Sequence, residues 1–240
     1  MGGWLGRVGR VVRTRWRKLT RPAVVQIGGV RLRTTGPAIT PTIAKYLYKG
    51  AYEAQERRII GESLRADDVV LDVGGGLGFI AAFCARRCRG VTVVEANPDL
   101  CPVIRDTLAL NGLAGEVVNA VLAPGDGTAT FHVARDFWAS SLCPVPDTVR
   151  TVEVPALAAS ALMARVRPTY LVMDIEGGEA ELLPHIPLDG VRCLCVEIHP
   201  EATGQEAMDK ALASVTARGF HRDETLSQPQ QILFRRSAAS

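Results

Sequence analysis

The stretch VVLDVGGGLGFIA, residues 69–81, constrains the architecture of this chain more than any other. A short apolar run, long enough for a buried strand, meets Asp72 and then four glycines within residues 74–78, before an apolar segment with helical character. Strand, glycine turn and helix together make the opening unit of a sheet in which strands alternate with helices. Glycines lose more backbone freedom on folding than any other residue, so four together imply that something must lie against that backbone.

The rest of the chain continues the alternation. VTVVEA (91–96), EVVNAVL (116–122), YLVMDI (170–175) and VRCLCVEI (191–198) read as strands, and helical patterns follow most of them. GFHRDETL and QQILFRR are separated only by SQPQ, so they are expected to pair antiparallel at the carboxyl terminus. VVQIGGVRLR (24–33) reads as a hairpin around Gly28-Gly29, and a helical stretch follows Pro41. The expected fold is α/β: a doubly wound, seven-stranded, mostly parallel, Rossmann-like sheet with an antiparallel C-terminal hairpin. Residues 1–23 form a separate arm; residues 24–240 form one domain, with a hairpin and helical cap over 24–66 and the core over 67–240.

With 240 residues and 47% hydrophobic positions, the chain can bury one large core. No apolar run approaches the roughly 20 residues of a membrane span, and the arginine-studded start does not resemble a secretory signal. The six cysteines lack zinc-site spacing and read as small apolar residues of a reduced, cytoplasmic protein.

Charge is divided sharply. Residues 1–52 contain eleven Lys or Arg and no acid, whereas the remainder holds 17 basic and 25 acidic groups. Trp4, Leu5, Val8, Val11, Val12, Trp16 and Leu19 recur at three- and four-residue steps, with Arg7, Arg10, Arg13, Arg17, Lys18 and Arg21 on much of the remaining face. This is a cationic amphipathic helix ended by Pro22. Two readings stay open: residues 1–21 lie on an anionic membrane surface, placing the protein at the inner face of the membrane, or they dock on protein. Nucleic acid ranks last, because aromatics interleaved with basic residues are missing elsewhere.

The glycines admit two cofactor registers. Gly76, Gly78 and Ala81 fit the dinucleotide pattern G-x-G-x-x-A; Asp72, Gly74, Gly76 and Gly78 fit D-x-G-x-G-x-G. Both put Glu95 at the next strand end, where a carboxylate accepts from ribose hydroxyls. The dinucleotide register leaves Asp72 near a pyrophosphate, which like charge disfavours. In the second register Asp72 faces a ligand bearing an ammonium and a sulfonium, which favours S-adenosylmethionine.

GAYEAQE (50–56), LDVGGGLGF (71–79), VEANP (94–98), NAVLAPGDG (119–127), MDIEGGE (173–179) and VEIHP (196–200) together resemble the FkbM family of S-adenosylmethionine-dependent methyltransferases, a branch of the class I fold. The resemblance runs from about Tyr46 to Phe234 and excludes the arm. It implies a transferase acting on a hydroxyl of a sugar, glycan or small natural product, and a Tyr52–Glu53 pair capping the cofactor pocket. Two departures stand out: Gly75-Gly76 replace a common Ala-Asn, and Val172 stands where lysine is common.

The expected cofactor contacts are Asp72, Gly74, Gly76, Gly78 and Glu95, joined by Asn119 and Ala120 at the third strand end near the adenine, and by Tyr52 and Glu53. Asp174, Glu176 and Glu179 follow the fourth strand, and Glu197 and His199 end the fifth. His199 or Asp174 is the expected base for taking a hydroxyl proton, with Glu197 beside them. Asp174, Glu197 and His199 also have the donor types for a divalent cation, although no resident metal is expected. Phe137 and Trp138, with Ser140 and Ser141, are candidates for a substrate wall or for local core. An N-methyltransferase, a non-catalytic cofactor-binding protein acting through its basic arm, and a nicotinamide-dependent oxidoreductase are the alternatives.

Overall fold

A computed structural model describes residues 4–142 and 146–237. The arm forms helix α1 (Trp4–Thr20), with side chains described from Val11 onward, Arg13 excepted. The hairpin β1 (Val24–Ile27) and β2 (Val30–Arg33) turns through Gly28 and Gly29, both at positive φ. The helical stretch expected after Pro41 is divided into α2 (Pro41–Lys49) and α3 (Ala54–Ser63). Gly50, at φ 68°, closes α2 in the left-handed conformation that glycine adopts without a steric penalty. That break carries Tyr52 and Glu53 toward the carboxyl edge of the sheet.

The core then runs β3 (Val69–Val73), α4 (Phe79–Ala85), β4 (Gly90–Glu95), α5 (Leu100–Leu110) and β5 (Glu116–Asn119). An insertion follows, with β6 (Val121–Ala123), β7 (Gly127–Ala134), the 3-10 turn Phe137–Ala139 and β8 (Thr148–Ala158). The chain returns through α6 (Ala159–Val166), β9 (Tyr170–Met173), α7 (Glu179–Leu182), β10 (Cys193–Glu197), α8 (Pro200–Thr203) and α9 (Gln205–Thr216). It ends with β11 (Phe220–Arg222) and β12 (Gln231–Arg236).

The seven-stranded sheet has the order β11-β12-β10-β9-β3-β4-β5, with β12 antiparallel to both β10 and β11. The other neighbouring pairs are parallel. This is the class I methyltransferase arrangement expected from the sequence. Strand order reverses between β3 and β9, which opens a crevice at their carboxyl ends. Alternate side chains feed two cores. Val70, Val172 and Cys195 pack with α2, α3, α4 and the N-terminal hairpin, whereas Leu71, Leu171 and Leu194 pack with α6, α7 and α9.

The expected strand 116–122 is broken at Ala120. Asn119 donates through Nδ2 to the carbonyls of Glu95 and Ala96, at 2.8 and 3.0 Å, and the chain then changes sheets. Beyond it, β6 joins a separate three-stranded sheet, β6-β8-β7, of which the sequence pattern marks only the start of β6. Five described cysteines are unpaired, four of them buried; Cys143 lies outside the described residues. Among the described residues, no helix is long and apolar enough to cross a membrane.

The amino ends of the central strands are held by a charge. Asp68 accepts from the Arg65 amide at 2.7 Å and the Thr169 hydroxyl at 2.8 Å, and pairs with Arg192. Arg192 also donates to the Ser63 carbonyl at 3.0 Å, linking α3 to β3, β9 and β10. Burial works against ionisation here, but the Arg192 guanidinium and these donors hold the Asp68 carboxyl below its usual range. Removing one partner of such a pair leaves the other uncompensated. Asp68→Asn is therefore expected to lower unfolding free energy by about 3 kcal/mol in urea denaturation.

Candidate active site at the carboxyl edge of the sheet

The β3 ladder extends to the edge of the cleft, where the Gly74 amide donates to Val94 and the Asp174 amide to Val73, both at 2.9 Å. A Cβ on Gly74, at φ 97°, would lie 1.6 Å from the Asp174 carbonyl oxygen, so only glycine fits. Over Gly76, at φ 50°, stand the Tyr52 hydroxyl and the Phe137 ring, 3.3 and 3.4 Å from where a Cβ would be. Gly78, also at positive φ, precedes α4. The departure at Gly75 has a packing reason: an alanine methyl would lie 2.5 Å from Val93 and 2.6 Å from Ile104.

Asp72 is almost fully buried and lines the cleft, and its Oδ2 has no hydrogen-bond partner. Burial and the neighbouring Glu95 charge push its pKa up to about 8. Glu95 accepts from the amides of Gly76 at 3.0 Å and Asn97 at 2.7 Å. Burial still outweighs those bonds and raises Glu95 to about 7. Tyr52 rests edge-on against Phe79, with centroids 5.8 Å apart. Glu53 and Glu176 hold left-handed backbone conformations, at φ 48° and 52°, and both line the cleft. Left-handed backbone at residues other than glycine is a cost that concentrates where side chains must be aimed.

Beside Asp174 a second cluster forms between the β9 and β10 ends. The His199 Nδ1 shares a hydrogen bond with Glu179 at 3.0 Å, and Glu179 also accepts from the amides of Ile175 and Gly177. Glu179, fully buried, thus folds the Asp-x-Glu-Gly loop and orients the imidazole. The His199 Nε2 faces Glu176 at 3.3 Å, Glu197 at 3.9 Å and Asp174 at 4.0 Å. Burial opposes protonation of His199, but the Glu179 bond and the surrounding carboxylates raise it to about 9. Asp174 is raised well above the ordinary carboxylate range by burial and by Glu197, and its Oδ1 has no hydrogen-bond partner. Asp174, Glu176 and His199 each offer one donor atom, all within 4.8 Å of one another; Glu176 takes the place expected of Glu197 in that set.

The structure brings Tyr52, Glu53, Asp72, Gly74, Gly76, Glu95, Ala120 and Asp174 together around one cleft. It turns Asn119 away: its amide hydrogens are committed to the backbone, leaving Ala120 at the wall. Phe137, Trp138 and Ser140 do reach the cleft, and the Ser141 hydroxyl donates to the Glu176 carbonyl at 3.0 Å, tying the insertion to the acid loop. Glu56 is a site residue the sequence reading passed over, buried, lining the cleft and raised by burial to about 7. Its three-residue spacing from Glu53, one face of a helix start, was the available signal.

These features fit S-adenosylmethionine. Partnerless buried oxygens on Asp72 and Asp174 suit a cationic ligand, Glu95 stands where a ribose would be bound, and the bare glycine loop admits close approach. The same buried acids predict a pH dependence. Asp72 and Glu95 hold protons more tightly folded than unfolded, so their stabilising effect is complete below about pH 4 and lost as pH rises through 7 to 8. The melting temperature of the ligand-free protein is expected to fall by about 5–10 °C between pH 5.5 and 9. Asp72→Asn should flatten that decline in scanning calorimetry, and a melting temperature that rises across the interval would refute the assignment.

Residues 72–222 match the methyltransferase FkbM domain. Over 60 residues the chain is 40% identical to the ribosomal RNA small subunit methyltransferase A of Rubrobacter xylanophilus, covering 25% of this chain and 23% of that protein. Among solved structures, the methyltransferase FkbM from Methylobacillus flagellatus KT aligns with 80% of this chain and 54% of its own, at 13% identity and a TM-score of 0.45. Trm5b from Pyrococcus abyssi aligns with 88% of this chain and 55% of its own, at 16% identity and a TM-score of 0.45. The chain thus spans about a quarter of the curated relative and about half of those two structures. With the domain match covering most of the sheet and its cleft, the chain belongs to the FkbM family of S-adenosylmethionine-dependent methyltransferases.

Proposed function

We propose that this methyltransferase is O-directed and acts on a hydroxyl of a sugar, glycan or small natural product. The observation that carries the reading is the convergence of Asp174, Glu176, Glu197 and His199 beside the cleft. S-adenosylmethionine, when bound, supplies a methyl group activated by its sulfonium. Transfer to oxygen also requires that the hydroxyl be aligned and its proton removed.

The two candidates for that task differ in their surroundings. His199, held by Glu179 and ringed by carboxylates, favours the imidazolium near neutral pH, so it acts as a hydrogen-bond donor and local positive charge. Asp174, half-buried with an enclosed, partnerless Oδ1, is a carboxylate with increased basicity. We assign proton removal to Asp174 and the positioning of Glu176 and Glu197 to His199. Asp72 and Glu95 hold the cationic and ribose ends of the donor, with Tyr52 closing over the loop. The density of carboxylates also suits a cationic amine, which is the specific observation behind an N-directed alternative.

Calorimetric titration with S-adenosylmethionine is expected to show binding weakened at least about tenfold by Glu95→Ala, a loss of about 1.4 kcal/mol. A screen of hydroxyl and amine acceptors, read by product mass, should yield O-methyl products; turnover confined to amines would reverse the assignment. On an accepted hydroxyl, Asp174→Asn is expected to lower kcat about 100-fold or more, while Glu179→Gln shifts the pH profile. Activity is expected to survive chelation by EDTA; a requirement for added divalent cation would move proton activation to the Asp174–Glu176–His199 trio.

A further inference from the structure

Helix α1 turns its apolar stripe away from the protein. Val11, Val12, Trp16 and Leu19 are 51%, 61%, 57% and 85% exposed. At helical spacing they share one side of α1. The opposite side carries Arg17, only 8% exposed, whose guanidinium donates to the Gln26 carbonyl of β1 at 2.8 Å. The same guanidinium lies beside Gly50, where the negative end of the α2 dipole emerges.

An ordinary surface helix buries its apolar stripe and leaves arginine in water. Here the arm docks through arginine, and leucine and tryptophan are left outside, an inversion that calls for a cover. The rim of the stripe indicates its chemistry. Arg15 and Lys18 are exposed, and residues 1–52 as a whole carry eleven cations and no anion. Apolar side chains bordered by cations complement an interface that is apolar in depth and anionic at its surface.

We propose that α1 lies in the plane of an anionic lipid bilayer, with Val12, Trp16 and Leu19 entering the headgroup–acyl boundary and Arg15 and Lys18 at the lipid phosphates. The seat connects to the site, since α1 packs on α2, and Tyr46 of α2 meets Trp138 of the cleft wall edge-on at 5.6 Å.

The test is co-sedimentation of the full chain with vesicles of phosphatidylcholine alone and with about 30% phosphatidylglycerol, in about 0.1 M salt. Binding is expected to the anionic vesicles, at least about tenfold stronger than to the neutral ones. The V12E/W16E/L19E variant should lose that binding at least about tenfold with its melting temperature unchanged, because the three side chains are exposed. R15E/K18E should lose it too and flatten its salt dependence. Absence of binding to anionic vesicles, or binding retained in V12E/W16E/L19E, would overturn the proposal. So would a wild-type chain that sediments as a dimer while V12E/W16E/L19E is monomeric, since a second copy would then be the cover. Retention on single-stranded RNA that ignores the stripe, with no lipid binding, would also overturn it.

Discussion

Acidic groups enclosed in excess of the nearby cations are the constraint around which the carboxyl edge of this sheet is arranged. Asp72, Glu95, Glu53, Glu56 and Asp174 enter one cleft, and burial is the largest cause of the raised pKa at every one of them. The other end of the same strands shows the opposite treatment. There Asp68 is equally enclosed, yet Arg192 and two donors keep it ionised below the usual range. One fold therefore contains a carboxylate paired with arginine that secures the strands, and a crowd of acids at the cleft in which Asp72 and Asp174 each keep a partnerless oxygen. A cation would complete the second set, and a sulfonium bearing an ammonium is such a cation.

Much of this was legible in the chain itself. Period-two and apolar patterns located the strands of the main sheet, because strands covered on both faces read as continuous apolar runs. The glycine loop was readable for a related reason: Gly74 stands where the Asp174 carbonyl approaches too closely for any side chain. The acids at strand ends followed from topology, since ligands on such sheets bind there.

The parts that were not legible depend on contacts between distant segments. Ala120 separates two sheets where Asn119 is committed to the carbonyls of Glu95 and Ala96. The small sheet β6-β8-β7 alternates weakly and includes an eleven-residue strand with much of its length exposed, so its pattern resembles a loop. By its place in the sequence, Glu179 is only one of three acids that follow the fourth strand. In the fold it is fully buried, with three hydrogen bonds that shape the loop and aim His199. Linear spacing reports which face a residue occupies, and not which distant imidazole will meet it.

The arm obeys the same logic with the signs exchanged. At the cleft, acids outnumber the cations beside them; on α1, apolar groups are exposed without an apolar cover. Both arrangements oppose the ordinary preference of the folded chain for paired charge and hidden hydrocarbon, and each is local to one surface. Arg17 explains why the inversion on α1 is a property of the fold rather than of a loose tail. Its guanidinium is enclosed, bonded to β1 and set beside the α2 terminus, so turning the apolar stripe inward would strand that charge. The helix is therefore held in the orientation that an anionic interface can complete, and Arg17 is the one arginine among the arm's described side chains that is enclosed.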